Sequence, residues 1–180
     1  MLWTPIGAVS VASLISTVVS AAMTEMVIPR VAHDAPGFKN HQSLETLYLD
    51  PLEFLLDDAR ARRPGANGSF SGLYDFAPTK PIQLVLDYKI DGSYLHHRLV
   101  RYLDHFWSKG YLTTYDQISG NLTEGPVTVV CSGRCRRKNV LAQQPRDIFF
   151  DAPLDSLVGF PYGPEVAPLA STSLERMFEN

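Results

Sequence analysis

The chain has 180 residues and a mass of 20.0 kDa, which is the size of one domain. Its residues are 45% hydrophobic and 19% charged, a composition that is typical of folded proteins and excludes a largely disordered chain. Sixteen Lys and Arg residues against nineteen Asp and Glu residues give a net charge of −3, so we expect no nucleic-acid partner. Two cysteines are too few for a disulfide framework, and their spacing assembles no set of four soft zinc ligands.

Residues 1–24 form an apolar N-terminal segment that has no charged residue between Leu2 and Met23. About twenty such residues can cross a bilayer as a helix. The small residues near its end also fit the cleavage region of a signal peptide. We therefore expect an apolar helix, either a membrane anchor or a signal peptide, followed by one domain over residues 25–180.

The apolar segment predicts that the protein is membrane-associated or enters the secretory pathway. Glycosylation sequons begin at Asn67 and Asn121, which favours a lumenal domain. The nearest basic residues, Arg30 and Lys39, follow the segment and favour a cytosolic domain instead. The orientation therefore stays open at this point.

After the apolar segment, strand-like and helix-like patterns alternate. Asp50 as N-cap, Pro51 in the first turn and Glu53 three residues on predict a helix start. A second helix is expected between Ser93 and Gly110. Strands are expected at 26–32, 82–86, 112–115, 126–131 and 147–150. Strands that are apolar on both faces and separated by helices indicate an α/β fold with a parallel sheet.

Parallel sheets place their functional residues at the carboxyl ends of the strands. Asp87 and Lys89 end the strand over 82–86 with an acid and a base two positions apart, so both side chains point to the same side. A Mg²⁺ ion would suit the carboxylate, and a phosphate would suit the ammonium group. A salt bridge between the two is the ordinary alternative, and the sequence alone favours it.

Other polar residues also lie where predicted strands end. His33 follows the weak strand over 26–32 and is a candidate proton donor or nucleophile on phosphorus, although a lone histidine is more often an ordinary surface residue. The residues Cys131 to Cys135 are interpreted in three ways: a small disulfide, an anion-binding loop, or, as we favour, ordinary loop cysteines. The histidines within the second helical pattern, His96, His97 and His105, are interpreted as solvated helix surface.

Several motifs together resemble a known family, the fungal altered inheritance of mitochondria proteins. They lie, in the family's order, at residues 31–34, 43–52, 86–92, 125–130 and 146–154. The resemblance implies membership of the superfamily of phospholipase-C-like phosphodiesterases. That superfamily has a (β/α)₈ TIM barrel, a Mg²⁺ or Ca²⁺ ion, and two histidines that act on a phosphodiester such as a glycerophosphodiester or a phospholipid head group in lipid metabolism.

Site roles follow from the resemblance, motif by motif. His33 matches the second catalytic histidine of the family, Asp87 a metal-ligand carboxylate, and Lys89 the lysine two positions beyond that carboxylate. The family's first-histidine motif and its Glu-x-Asp metal motif, which precede the His-Asp motif, are absent from this sequence. The chain is also shorter than the roughly 200 to 250 residues of a full barrel.

The function expected from these observations is that of a truncated phosphoric diester hydrolase-like protein with doubtful activity, built on a partial TIM barrel. Uncovered strand edges in such a partial barrel would favour self-association. The alternative is a non-catalytic, membrane-tethered domain that binds a phospholipid head group or a protein through Lys89, Arg134 and Arg136. A third interpretation is a fragment without a stable function.

Overall fold

The computed structural model describes residues 16–20, 30–31, 43–63, 72–77, 80–89, 92–154 and 162–171. Its strands are β1 (Ser16–Ser20), β2 (Arg30–Val31), β3 (Ile82–Tyr88), β4 (Thr114–Asp116), β5 (Asn121–Thr123), β6 (Val127–Gly133), β7 (Ile148–Pro153) and β8 (Leu169–Ser171). Its helices are α1 (Asp50–Ala61), α2 (Gly92–Tyr102), α3 (Asp104–Ser108) and α4 (Arg137–Ala142), and a π-helical turn over Glu45–Leu49 precedes α1.

Six of the strands form one sheet in the order β2-β1-β3-β6-β7-β8. β1 and β2 pair antiparallel, and the other neighbours in this sheet pair parallel. β4 and β5 form a separate antiparallel pair. The predicted α/β fold with a mostly parallel sheet is confirmed, and the sheet has the form of a curled half-barrel.

The centre of the sheet is built from the two strands with the strongest apolar patterns. In β6, every residue from Val127 to Cys131 is buried, which explains the uninterrupted β-branched run in the sequence. In β3, Leu84, Leu86 and Tyr88 are buried and alternate with less buried residues. This alternation places Asp87 on the opposite face from those three side chains.

The expected apolar N-terminal helix is wrong where the structure describes that segment. Ser16–Ser20 form β1, a parallel neighbour of β3 in which Ser16 is paired with Val85. The sequence Thr17-Val18-Val19 is β-branched, which favours a strand over a helix. Within the described residues, no helix has the length and apolarity needed to cross a membrane. Residues 1–15 lie outside the described part of the chain.

The two predicted helices exist with altered ends. Pro51 lies in the first turn of α1 as expected, but Asp50 is not its cap because the π-helical turn runs directly into the helix. The Ser43 hydroxyl instead accepts a hydrogen bond from the Thr46 N–H at 3.0 Å. The second predicted helix is divided at Leu103 into α2 and α3. Gly110 follows α3 with φ +68°, a conformation that suits glycine.

Candidate functional site at the carboxyl end of β3

Asp87 and Lys89 meet at the carboxyl end of β3, as the two-residue spacing predicts. Lys89 Nζ lies 2.6 Å from Asp87 Oδ2 in a salt bridge. The two side chains are 39% and 28% exposed, so solvent reaches both. β3 lies in the interior of the sheet, between β1 and β6. The pair therefore occupies the position where parallel-sheet proteins place their ligands, and it has the ion-paired form that the sequence favoured.

Gly133 adjoins this pair from the end of β6. Ser132 is the register partner of Asp87, and Gly133 is that of Tyr88. Gly133 has φ +63°, and a Cβ atom built on it would lie 2.0 Å from Asp87 Oδ1 and 2.9 Å from the Tyr88 carbonyl oxygen. Only a residue without a side chain lets the two strand ends approach so closely. We define Asp87, Lys89, Ser132 and Gly133 as the carboxyl-edge site.

The carboxyl-edge site fits a resident divalent cation poorly. Mg²⁺ and Ca²⁺ are held by several convergent oxygen ligands. Among the residues that the structure describes, Asp87 belongs to no group of three potential His, Cys, Asp or Glu ligands. Its carboxylate is also engaged by Lys89. The third predicted site residue, His33, lies outside the described residues, so the structure does not place it relative to the pair.

The loop after β6 is closed by a disulfide between Cys131 and Cys135, so the interpretation as ordinary loop cysteines is wrong. This loop is tied to β3 and to the start of α2. The Arg134 N–H donates to the Tyr88 carbonyl oxygen at 2.8 Å, and Gly92 packs directly on the Arg134 backbone. The loop thus carries Gly133 at a fixed position against Asp87.

His96 is a correction to the interpretation of the helical histidines. It is only 5% exposed, whereas its neighbour His97 is exposed. Its Nδ1 lies 3.4 Å from the Tyr88 hydroxyl. Burial lowers the pKa of His96 to about 4. The sequence held a signal for this burial, since His96 precedes Leu99 by three and Leu103 by seven residues on the apolar face of the helical pattern.

His105 differs from both of these histidines because it is partly buried between two helices. Its Nε2 lies 3.3 Å from a carboxylate oxygen of Glu53 in α1. Lys109 binds the same carboxylate and that of Asp57, each at 2.7 Å. These contacts hold α3 against α1, so His105 and Lys109 stabilise the packing of the two helices.

Asp147 is a second buried titratable residue that the sequence analysis missed. It begins the approach to β7 and is 4% exposed, and Gln143 donates a hydrogen bond to its carboxylate. Burial raises the pKa of Asp147 to about 6, with a further contribution from the negative charge of Asp104. Its position one residue before an apolar run resembled an ordinary strand end and gave no sign of burial.

The sequence of this chain is similar to those of fungal proteins. Residues 16–151 match the family described as "AIM6-like phosphodiesterase domain". An "Altered inheritance of mitochondria protein 6 homolog" from Arthroderma benhamiae is 31% identical over 145 residues, which cover 80% of this chain and 45% of that protein. An "Altered inheritance of mitochondria protein 6" from Candida glabrata is 32% identical over 95 residues, which cover 51% of this chain and 23% of that protein.

The chain therefore spans less than half the length of these curated relatives. No solved structure matches it significantly.

Proposed function

Because the chain belongs to the AIM6-like phosphodiesterase domain family, we propose that it recognises a phosphodiester, as in a glycerophosphodiester or a phospholipid head group, at the carboxyl-edge site and takes part in its hydrolysis. The observation that carries the proposal is the exposed Lys89–Asp87 pair at the carboxyl end of the interior strand β3. A compact ammonium group is a suitable partner for a phosphate oxygen.

The energetics of the pair are compatible with ligand exchange. Exposed salt bridges stabilise a protein by only about 0 to 1 kcal/mol, because solvent screens them. Lys89 is more than one-third exposed, so leaving Asp87 for an incoming phosphate costs little. The roles that we propose are phosphate binding for Lys89 and proton transfer for His33. Asp87 pairs with Lys89 when the site is empty and would be one ligand of a divalent cation during hydrolysis.

A divalent cation remains part of the proposal only as one that Asp87 would share with ligands from elsewhere. Mg²⁺ or Ca²⁺ would stabilise charge on the phosphoryl oxygens if it were bound. Within the described residues, Asp87 belongs to no group of three potential ligands, and Lys89 already engages its carboxylate. This observation favours a second candidate function, in which the domain binds the phosphodiester or a membrane surface through Lys89 without hydrolysing it.

The first test measures turnover and binding in the same purified full-length chain. We expect hydrolysis of glycerophosphocholine or lysophosphatidylcholine in the presence of Mg²⁺, abolished by Asp87→Asn and severely lowered by His33→Ala. Lys89→Gln is expected to raise KM by about tenfold or more, since one charge-assisted contact with phosphate contributes about 1.5 to 3 kcal/mol. Lys138→Gln, at an exposed position in α4, is the matched control and should leave the rate unchanged.

Asp87→Asn separates the two candidate functions. If the domain hydrolyses its ligand, the variant loses turnover. If it only binds, the variant binds the same diester more tightly, because Lys89 no longer has a competing carboxylate. Unchanged binding and turnover in both Asp87→Asn and Lys89→Gln would contradict both functions at this site.

We further propose that the domain folds in the secretory pathway. Disulfides persist in oxidising compartments, and the Cys131–Cys135 bond supports such a location. The sequon at Asn121 lies in β5, whose three residues are all exposed. We therefore expect expression in a eukaryotic host to add a glycan at Asn121.

The glycan is detected as a mobility shift that peptide-N-glycosidase removes. Asn121→Gln should abolish the shift contributed by this sequon, whereas Asn139→Gln, which lies in no sequon, should not. Asn121 that stays unmodified in a host that glycosylates a co-expressed secreted control would contradict a lumenal location.

A further inference from the structure

The disulfide at the end of β6 has a buried imidazole beside it. One ring nitrogen of His96 and the sulfur atoms of Cys131 and Cys135 all lie within 4.8 Å of one another. The three residues are 5%, 0% and 9% exposed, respectively. His96 comes from α2 and the cysteines come from β6 and the loop after it, so packing between the two elements brings the three together.

The His96 imidazole also has a ring nitrogen without a partner. Its Nε2 is buried and has no hydrogen-bond partner among the residues that the structure describes. Its Nδ1 has only the long contact of 3.4 Å with the Tyr88 hydroxyl. Buried polar atoms are almost always satisfied in folded proteins, so an unpartnered nitrogen on an imidazole ring that lies beside two sulfur atoms calls for an explanation. Burial also favours the neutral imidazole, which is the form that binds metals.

We propose that, once the disulfide is reduced, Cys131, Cys135 and His96 bind a soft cation such as Zn²⁺. Two thiolates and one imidazole are a ligand set that zinc prefers, and three protein ligands leave a fourth position for water or another ligand. The sequence lacks a set of four soft zinc ligands, but a zinc site with an open position needs only three ligands from the protein.

Reduction of the disulfide and binding of the cation are two separate steps. A dithiol donates two electrons and two protons to the Cys131–Cys135 disulfide, becomes a disulfide itself, and leaves two cysteine thiols. Each thiol then loses its proton when it binds the cation, so two protons are released for each Zn²⁺ bound. The oxidised and the metal-bound forms exclude each other, because the same sulfur atoms cannot be in a disulfide and act as thiolate ligands.

A cavity borders one residue of the proposed site. A cavity of about 350 Å³ on the α2 and α4 side of the molecule is lined by His96 and also by Ser93, His97, Asn139 and Gln143. Thus a residue of the proposed site forms part of the wall of an open cavity. A functional metal site needs an entry path, and this cavity is the side from which a cation would approach His96. The proposal does not depend on phosphodiester chemistry.

The test uses the full-length chain, reduced with a phosphine without oxygen and then freed of the phosphine. Zn²⁺ is titrated against a chromogenic zinc indicator, and Co²⁺ is used as a spectroscopic probe for thiolate charge-transfer absorption. We expect one Zn²⁺ per reduced chain and none per oxidised chain. The charge-transfer band should vanish in the Cys131→Ser, Cys135→Ser double variant.

His96→Gln is the decisive variant because it keeps both cysteines and their disulfide. It should weaken Zn²⁺ binding by at least about tenfold, as the loss of a metal-site interaction does. His97→Gln, at the exposed neighbouring position, is the matched control and should bind like the unchanged chain. Near-UV circular dichroism of the oxidised variants verifies their folding. Equal affinity of His96→Gln and the unchanged chain, or no thiolate band with Co²⁺, would overturn the proposal.

Discussion

Gly133→Ala is expected to destabilise the protein by about 2 to 5 kcal/mol and to displace the Asp87 carboxylate. The left-handed backbone of Gly133, with φ +63°, costs a residue with a Cβ about 1 to 2 kcal/mol. The new methyl group would also lie 2.0 Å from Asp87 Oδ1 and 2.9 Å from the Tyr88 carbonyl oxygen. Relief of such overpacking costs about 1 to 3 kcal/mol more.

Rotation of the carboxylate away from the methyl group also moves Oδ2, the oxygen that Lys89 Nζ contacts at 2.6 Å. The carbonyl oxygen belongs to the backbone of an interior strand and has less freedom to move. We therefore expect both lower stability and a changed affinity of Lys89 for phosphodiesters. Urea unfolding measures the first, and titration with glycerophosphocholine measures the second.

Gly120→Ala is the matched control for this experiment. Gly120 has φ +72°, and nothing lies within 4 Å of a Cβ atom built on it. The loss of stability in Gly120→Ala therefore measures only the cost of the left-handed backbone. The additional loss in Gly133→Ala measures the cost of the contacts with Asp87 and Tyr88. Equal losses of stability in both variants would show that the two strand ends do not require a glycine where they approach.

A second large effect is expected from the opposed titrations of His96 and Asp147. The pKa of His96 is lowered by burial from 6.5 to about 4, so between these values the unfolded chain holds a proton that the folded chain does not. The contribution of His96 to the free energy of unfolding therefore rises as the pH increases from about 4 to 6.5. Burial raises the pKa of Asp147 from 3.8 to about 6, so there the folded chain holds the extra proton. The contribution of Asp147 to the free energy of unfolding therefore falls as the pH increases from 3.8 to about 6.

The two contributions oppose each other between about pH 4 and about pH 6, so we expect them largely to cancel in the unchanged chain. Asp147→Asn removes the contribution of Asp147. The free energy of unfolding of this variant minus that of the unchanged chain should therefore increase between pH 4 and pH 6, by about 3 kcal/mol at most. His96→Gln should show the opposite trend. Asn keeps the size of Asp and an oxygen that accepts the hydrogen bond from Gln143.

Urea unfolding of the three proteins at a series of pH values measures these trends. Carboxylates such as Asp57 and Asp116, whose pKa values are lowered by hydrogen bonds, affect all three proteins alike and drop out of the differences. His97→Gln is the control for loss of a helical histidine at an exposed position. Parallel pH profiles for Asp147→Asn and the unchanged chain would contradict the assignment of a buried, protonated Asp147.

The parts of the fold that the sequence predicts best are those with a local pattern. The buried strand β6 follows from its β-branched run, and the pairing of Asp87 with Lys89 follows from their two-residue spacing. The sequence predicts a helix where Ser16–Ser20 form a strand, because an apolar composition suits both a strand and a membrane helix. The strand conformation of this segment depends on its pairing with β3, which lies far away in the chain.

The parts of the site that the sequence missed depend on contacts between elements. Nothing local distinguishes Gly133 from any loop glycine, and its role arises only when β6 places it beside Asp87. The burial of Asp147 likewise depends on its surroundings in the fold, including the contact with Gln143. His96 is the exception, because its spacing from Leu99 and Leu103 placed it on the apolar face of its helix.

The pairing of β1 with β3 sets the order in which the sheet can form during synthesis. Residues 16–19 bind residues 85–88, and between them the chain must complete α1. Ribosomes add about 5 to 20 residues per second, so the N-terminal strand is made seconds before its partner exists. Such distant parallel pairings also form slowly. For that interval the edge of β1 that later binds β3 is unpaired, so a chaperone or another chain can capture it.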